Sequence, residues 1–280
     1  MHPVDGDRTT FTPDPASKMP PDGTPTVDAR DEVTLRLVTH ATSSPSSIAR
    51  LADIAVAAFA NDDSFEWRYP GRAKYPASNR GINLRHRAAE LLDPSVWVVA
   101  AYVGDQIAGF ASWQRKGDPL EGEAARDFWL QKMERRLLGF ENWLDSYFFP
   151  HPAAFPPAIA LMRQCFTDVA AQLSALPNFS TYLHLNILAV DPAFQRRGVG
   201  SRLVLWGVAK ARCDGVPCAL EASEAGKKVY LNSGFMELGL CDGFHPKSGK
   251  PFVEGMHCDQ KGCQFAVGTV MIWEPAAASN

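Results

Sequence analysis

The sequence has little excess of either charge: 28 Lys and Arg stand against 31 Asp and Glu, a formal net charge of -3. That balance removes the electrostatic case for a nucleic acid or an anionic membrane as partner. No apolar run approaches membrane-spanning length, and the N-terminus lacks the apolar core of a secretion signal. Cysteine is sparse and dispersed, with six residues at Cys165, Cys213, Cys218, Cys241, Cys258 and Cys263. Without a secretion signal they read as free thiols in a reducing compartment, which implies a cytoplasmic location. Residues 1–32 are poor in large apolar side chains and rich in Pro, Asp, Thr and Gly. Such a segment cannot bury enough surface to offset its ordering entropy, so it reads as a disordered tail, with 275–280 a second, short one. Between them, 33–274 is long enough to bury a sizeable core. A chain with 46% hydrophobic and 21% charged residues has the composition of an ordinary soluble protein.

The stretch Thr181 to Ser201 organises the rest. In its first half Tyr182, His184 and Asn186 alternate with Leu183, Leu185, Ile187 and Ala189. This is the period of a strand with one core face and one polar face, the latter suited to lining a cleft. Asp191-Pro192 ends the strand. Past Gly200 the apolar spacing becomes helical, through Leu203, Val204, Trp206, Val208 and Ala211. Between strand and helix lies Gln195-Arg196-Arg197-Gly198-Val199-Gly200. Its glycines let backbone approach a ligand, and the first helix amides are free to hold an anion. Arg196 and Arg197 add forked donors suited to phosphate. The physics is that of a pyrophosphate site. It is not a Walker loop, because no Lys-Ser/Thr follows the second glycine, and the third glycine of a dinucleotide fingerprint is missing.

Gln195-x-x-Gly198-x-Gly200 after such a strand resembles the acyl-coenzyme A loop of the GNAT N-acetyltransferase superfamily. Downstream, Tyr230-Leu231-Asn232-Ser233-Gly234-Phe235 resembles that family's Tyr-x-x-x-Gly-Phe element. The two motifs stand in the family order, and the clear likeness runs from Tyr182 to Leu240. It implies an α/β fold with a mixed, mostly antiparallel sheet and helices on both faces. It also implies transfer of an acetyl group from acetyl-CoA to a primary amine within a ternary complex, with no metal. A small-molecule amine is the expected acceptor. The alternatives are a protein or peptide acceptor, or a coenzyme-binding regulatory module without turnover.

Along the chain, Val33 to Val38, Val96 to Tyr102 and Gln106 to Trp113 read as strands, with helices over Ile48 to Phe59 and Ile82 to Leu92. Ser46 or Ser47 is expected to cap the first helix. Asn61 to Asn79 reads as a loop, and Arg80, Arg85 and Arg87 as a solvated basic face. Further strands are expected at Pro217 to Glu221, Phe235 to Leu240 and Phe265 to Trp273, and a short helix at Ala225 to Asn232. About 60 residues, roughly 117–180, separate the third strand from the fourth, far more than a usual loop. Helices over Glu123 to Leu144 and Pro157 to Leu176 fit this insertion. The aromatic bend from Tyr147 through Phe148 and Phe149 to Phe155 reads as the wall of an apolar acceptor pocket or a moving lid over it.

Acetyl transfer needs an amine freed of its extra proton, a polarised thioester carbonyl and a protonated leaving thiolate. The resemblance places Tyr230 near the coenzyme sulfur, as the acid. His184, on the polar face of the central strand, falls where some family members carry a catalytic Glu; Glu221 is the rival base. Leu188, Ala189 and Val190 are implied to meet the pantetheine arm through backbone, with the amide near Val190 facing the thioester oxygen. A bulge would change which amide does so. The loop from Gln195 through Val199 and Gly200 to Ser201 holds the donor, and Asn232 is a further contact. Cys241, His245, His257, Cys258 and Cys263 fit no regular zinc spacing, so no metal is expected. Oligomeric state is left open between monomer and homodimer.

Overall fold

Apolar alternation at period two, interrupted by turn residues, builds one mixed sheet with helices laid against both faces. The computed structural model describes residues 33–118, 129–240 and 268–275. In chain order the elements are β1 (Val33–Val38), α1 (Pro45–Ala58), α2 (Asp63–Arg68), α3 (Pro76–Leu92), β2 (Val96–Val103), β3 (Gln106–Lys116), α4 (Trp129–Phe148) and α5 (Pro156–Ser174). There follow β4 (Tyr182–Val190), α6 (Val199–Asp214), β5 (Cys218–Ala222), α7 (Glu224–Asn232), β6 (Met236–Leu240) and β7 (Thr269–Trp273). The sheet order is β1-β2-β3-β4-β5-β7-β6. Among the described residues only β4 and β5 run parallel; the other five neighbouring pairs are antiparallel.

Each face has its own core. On one side Val199, Leu203, Val204 and Val208 of α6, with Tyr230 of α7, pack on Trp97, Val99, Trp113, Leu183 and Leu185. On the other, Leu51 and Ile54 of α1 cover Val98, Ala100 and Phe110. Met162, Cys165, Val169 and Leu173 of α5 cover Tyr182, Ala219, Val270 and Ile272 on that same side. The insertion therefore contributes a helix to the core.

Several expectations are corrected. The first helix begins at Pro45, and its cap is Ser44: the Ser44 hydroxyl accepts from the Ser47 amide, and the Ser47 hydroxyl accepts from the Ser44 amide at 2.8 Å. This reciprocal pair is a capping box built from serines. The stretch expected as a loop contains α2, and α3 starts at Pro76, a residue whose missing N–H suits a first helical turn. Arg87 is not solvated. It is buried and pairs with Glu90 at 2.7 Å. Arg80 and Arg85 instead pair with Asp53 and Asp145. Tyr147 and Phe148 belong to the last turn of α4 rather than to a bend. The tail 1–32 and the Cys241–Cys263 group lie outside the described residues.

Candidate active site

The site is built where β4 changes phase. Ser112 of β3 opposes Ile187, while Trp113 opposes Leu185, so Asn186 is an extra residue in β4. A bulge of this kind turns the following side chains to the opposite face. Leu183 and Leu185 lie in the α6 core, but beyond the bulge Leu188 and Val190 take that face, and Ala189 joins the α1 core. The expected single face of Leu183, Leu185, Ile187 and Ala189 is thus divided in two.

The bulge also decides which backbone groups are presented. Among the described residues, β5 pairs with β4 at Leu183 and His184, opposite Cys218 and Ala219, and no further. Past that point the two strands part. The Asp191 amide donates to the Ala108 carbonyl at 2.9 Å, which sets the alternation along this end of β4. It leaves the amides of Leu188 and Val190 on the side away from β3, facing the gap. An extended amide-bearing chain laid in the gap would find strand-like donors and acceptors there.

At the far end of β4 the chain enters α6. Gly198 caps that helix at φ 77°, and open space surrounds the position a side chain would occupy. Arg196 is also left-handed, at φ 62°. The amides of Val199, Gly200 and Ser201 begin the helix and have no intrahelical acceptor. Arg196 and Arg197 are exposed beside them, with the Arg197 guanidinium 5.5 Å from the Phe194 ring centroid. The Gln195 side chain folds back and donates to the Val190 carbonyl at 3.2 Å. Arg50 of α1 steadies this junction, donating to Asp191 at 2.6 Å and to the Ile107 carbonyl. The junction offers amides, positive charge and bare backbone, which suit a pyrophosphate.

At the near end lies an acid–base pair. His184 Nε2 is 2.9 Å from Glu221 Oε2, and Nδ1 is 3.0 Å from Asn186 Oδ1. Asn186 in turn donates to Gln114 Oε1 at 3.4 Å. Both ring nitrogens face acceptor oxygens, the arrangement an imidazolium requires. Burial disfavours the charged ring. The Glu221 carboxylate, with hydrogen bonds to Glu221 and Asn186, outweighs burial and the opposing Lys116, so His184 titrates above its usual value. His184 and Glu221, taken above as rivals, form one hydrogen-bonded unit. They line a pocket of about 240 Å³ with Tyr182, Asn186, Lys116 and, from α5, Phe166, Ala170 and Leu173.

Tyr230 lies across the sheet from this pair, in the α6-side core that also takes in Leu188 and Val190. Its ring meets Phe235 edge-on, with centroids 6.1 Å apart. Burial pushes its phenol well above the ordinary tyrosine range, so the hydroxyl keeps its proton. Asn232 is exposed at the end of α7. The structure does not bring Tyr147, Phe148 or Phe149 to the pocket; they are 70%, 63% and 78% exposed on α4 and just beyond it. Lys116 and Phe166 were not read from the sequence. Lys116 lies past the expected end of its strand, and Phe166 is one aromatic in a helical pattern that does not say which face meets a cleft.

A mixed sheet with one parallel pair that parts, followed by a glycine-capped helix, offers a gap for an extended chain and an amide-lined junction for an anion at its end. Comparison with known proteins agrees. Residues 122–235 match the model of the acetyltransferase (GNAT) family. An uncharacterised N-acetyltransferase of Schizosaccharomyces pombe is 22% identical over 197 residues, covering 68% of this chain and 78% of the relative. The crystal structure of a histone acetyltransferase HPA2 and related acetyltransferase from Corynebacterium glutamicum superposes with a TM-score of 0.51 at 20% identity, over 89% of this chain and 99% of that one. Over residues 122–235 the chain is thus similar to the GNAT acetyltransferases, and it shares the fold of a solved acetyltransferase.

Proposed function

We propose that the protein moves the acetyl group of acetyl-CoA directly to the primary amine of a small molecule, both substrates being bound together. The observation that carries this reading is the parting of β4 from β5 between the Gly198 junction and the His184–Glu221 pocket. Pyrophosphate would lie on the amides of Val199, Gly200 and Ser201 beside Arg196 and Arg197. The pantetheine arm would pair with β4 at Leu188 and Val190. A pocket of about 240 Å³ suits a small acceptor.

In the proposed chemistry the acceptor ammonium first gives a proton to neutral His184, whose imidazolium Glu221 stabilises. The amine then attacks the thioester carbonyl, and the developing oxyanion meets a β4 amide. As the carbon–sulfur bond breaks, Tyr230 protonates the thiolate. The nitrogen's second proton returns Tyr230 to its neutral form through solvent, and His184 releases the first to water, so one proton leaves overall.

Thiol release from acetyl-CoA with a panel of primary amines tests this. Turnover with at least one amine is expected, and Tyr230→Phe should lower kcat about a hundredfold or more with coenzyme affinity nearly intact. Thiol release that needs no amine, or an unchanged chemistry-limited kcat in Tyr230→Phe, would overturn the scheme.

A further inference from the structure

The hydrogen bonds of His184 do not end at Asn186. Asp93 caps the C-terminal end of α3, and Ser95 stands just ahead of β2. Ser95 Oγ donates to Asp93 Oδ1 at 2.7 Å, and the Ser95 amide donates to the same oxygen at 2.9 Å. Gln114 of β3 opposes His184 of β4. Its Nε2 donates to Ser95 Oγ at 3.2 Å, and its Oε1 accepts from Asn186 Nδ2 at 3.4 Å. Asn186 Oδ1 lies 3.0 Å from His184 Nδ1, and His184 Nε2 lies 2.9 Å from Glu221. One unbroken run of hydrogen bonds thus reaches from the end of α3 through β3 and β4 to β5. The bulge residue is one of its links: Asn186 has no backbone partner opposite it on β3, yet it meets Gln114 by side chain.

The direction of this chain is set at its far end. A carboxylate only accepts, so the single Ser95 hydroxyl proton is committed to Asp93. The hydroxyl oxygen is left to accept, and Gln114 presents its NH2 group to it. That turns the Gln114 oxygen to Asn186, which answers with its own NH2 group. The Asn186 oxygen is what remains for His184. Each amide has one donor end and one acceptor end. Turning either of them over alone sets donor against donor or acceptor against acceptor.

The consequence falls on the neutral ring. A neutral imidazole has one donor nitrogen and one acceptor nitrogen. Here Nε2 faces the Glu221 carboxylate and Nδ1 faces the Asn186 oxygen. Whichever nitrogen gives up its proton is left with a lone pair against an acceptor. A free Asn186 would relieve this by turning its NH2 group to Nδ1 while Nε2–H stayed on Glu221. The chain holds Asn186 the other way, and the imidazolium satisfies both contacts. Among the described residues, the other titratable groups at the ring are Lys116 of β3, which opposes the proton, and Tyr182, whose ring meets the imidazole edge-on with centroids 6.4 Å apart. From α5 come Phe166, Ala170 and Leu173, none of which titrates.

We infer that Asp93, Ser95, Gln114 and Asn186 are positioning residues, a one-way chain of hydrogen bonds that holds the Asn186 oxygen against His184 Nδ1 and so favours the protonated ring. The effect on His184 stands whatever the reaction; its bearing on turnover rests on the proposed role of His184 as the base. The test follows His184 by NMR in the full-length, histidine-labelled protein, its signal assigned by its loss in His184→Gln. Ser95→Ala and Gln114→Leu each break the chain without changing a charge. Each should lower the midpoint of the His184 titration by roughly 0.5 to 1 pH unit, about the worth of one neutral hydrogen bond. Ser95→Thr keeps the hydroxyl and should titrate as the parent does. An unmoved midpoint in Ser95→Ala would overturn the proposal, since that hydroxyl bonds to neither His184 nor Asn186. So would a midpoint in Ser95→Thr that falls as far as in Ser95→Ala. The two breaks are independent, so loss of fold in one leaves the other to decide. The rising limb of kcat/KM should fall with the NMR midpoint. A midpoint that falls while the limb stays fixed would retain the chain and remove His184 as the base.

Discussion

His184 and Glu221 are hard to separate because each sets the proton affinity of the other. The sequence showed a polar strand face and a carboxylate on the next strand. It did not show that β4 and β5 are in register at that point, which is what brings the two side chains within 2.9 Å. The pair has a consequence for pH. A histidine whose folded pKa is raised contributes stability below its unfolded value, near 6.5, and loses it as pH rises through the higher folded value. Glu221→Gln removes the main attraction holding the proton. Its stability deficit against the parent should be largest in mildly acidic solution and shrink at alkaline pH, measured by urea denaturation across that range. In the proposed mechanism, His184 becomes a base only after losing its proton. The rising limb of kcat/KM should therefore move to lower pH in Glu221→Gln, with a lower plateau. A deficit independent of pH and an unmoved limb would show that the two residues do not share a proton equilibrium.

Elements were legible in the sequence where one period dominates. β4 and α7 fall within two residues of expectation and α6 follows Gly198 as expected, because alternation, the helical stripe and the Ser233-Gly234 stop agree with one another. The six-residue α2 was missed, being too short to show a period. The bulge at Asn186 was missed for another reason: side-chain alternation looks unbroken through it, and the break exists only in the pairing with β3. Equally hidden was the closeness of α6 to the sheet. Gly207 sits over fully buried Trp113, and an added Cβ would fall 2.1 Å from the indole ring. No sequence rule marks that helix glycine as a packing requirement, since its partner is 94 positions away. Gly207→Ala gains helix propensity yet must push the helix off the strand. Overpacking of this kind costs about 1–3 kcal/mol. We expect a lower denaturation midpoint, together with weakened acetyl-CoA binding, because the same helix carries the Gly198 amides. A midpoint equal to or above the parent's would mean that α6 does not rest on Trp113.

At the scale of the whole molecule the described part of the insertion between β3 and β4 has two helices with different neighbours. α5 covers β4, β5 and β7 and lends Phe166, Ala170 and Leu173 to the pocket, while α4 stands outside α3. The aromatic content that led the sequence reading to an acceptor wall at Tyr147, Phe148 and Phe149 is real. Aromaticity alone, however, does not tell a face turned to a cleft from a face turned outward. Which helix governs acceptor choice can be measured. Ala170→Leu adds bulk at the wall of a pocket of about 240 Å³ beside His184, without touching the Gly198 junction. It should raise the acceptor KM several-fold, or narrow the range of amines used, while the acetyl-CoA KM stays put, since losing or gaining a few methylene-sized contacts in an apolar pocket is worth about 1–3 kcal/mol. Phe148→Ala and Phe149→Ala should leave both constants near the parent's, because those side chains lie 63% and 78% exposed on the outer helix. The reverse result, acceptor KM following Phe148 and indifferent to Ala170, would return the acceptor wall to the end of α4 and leave α5 as core alone.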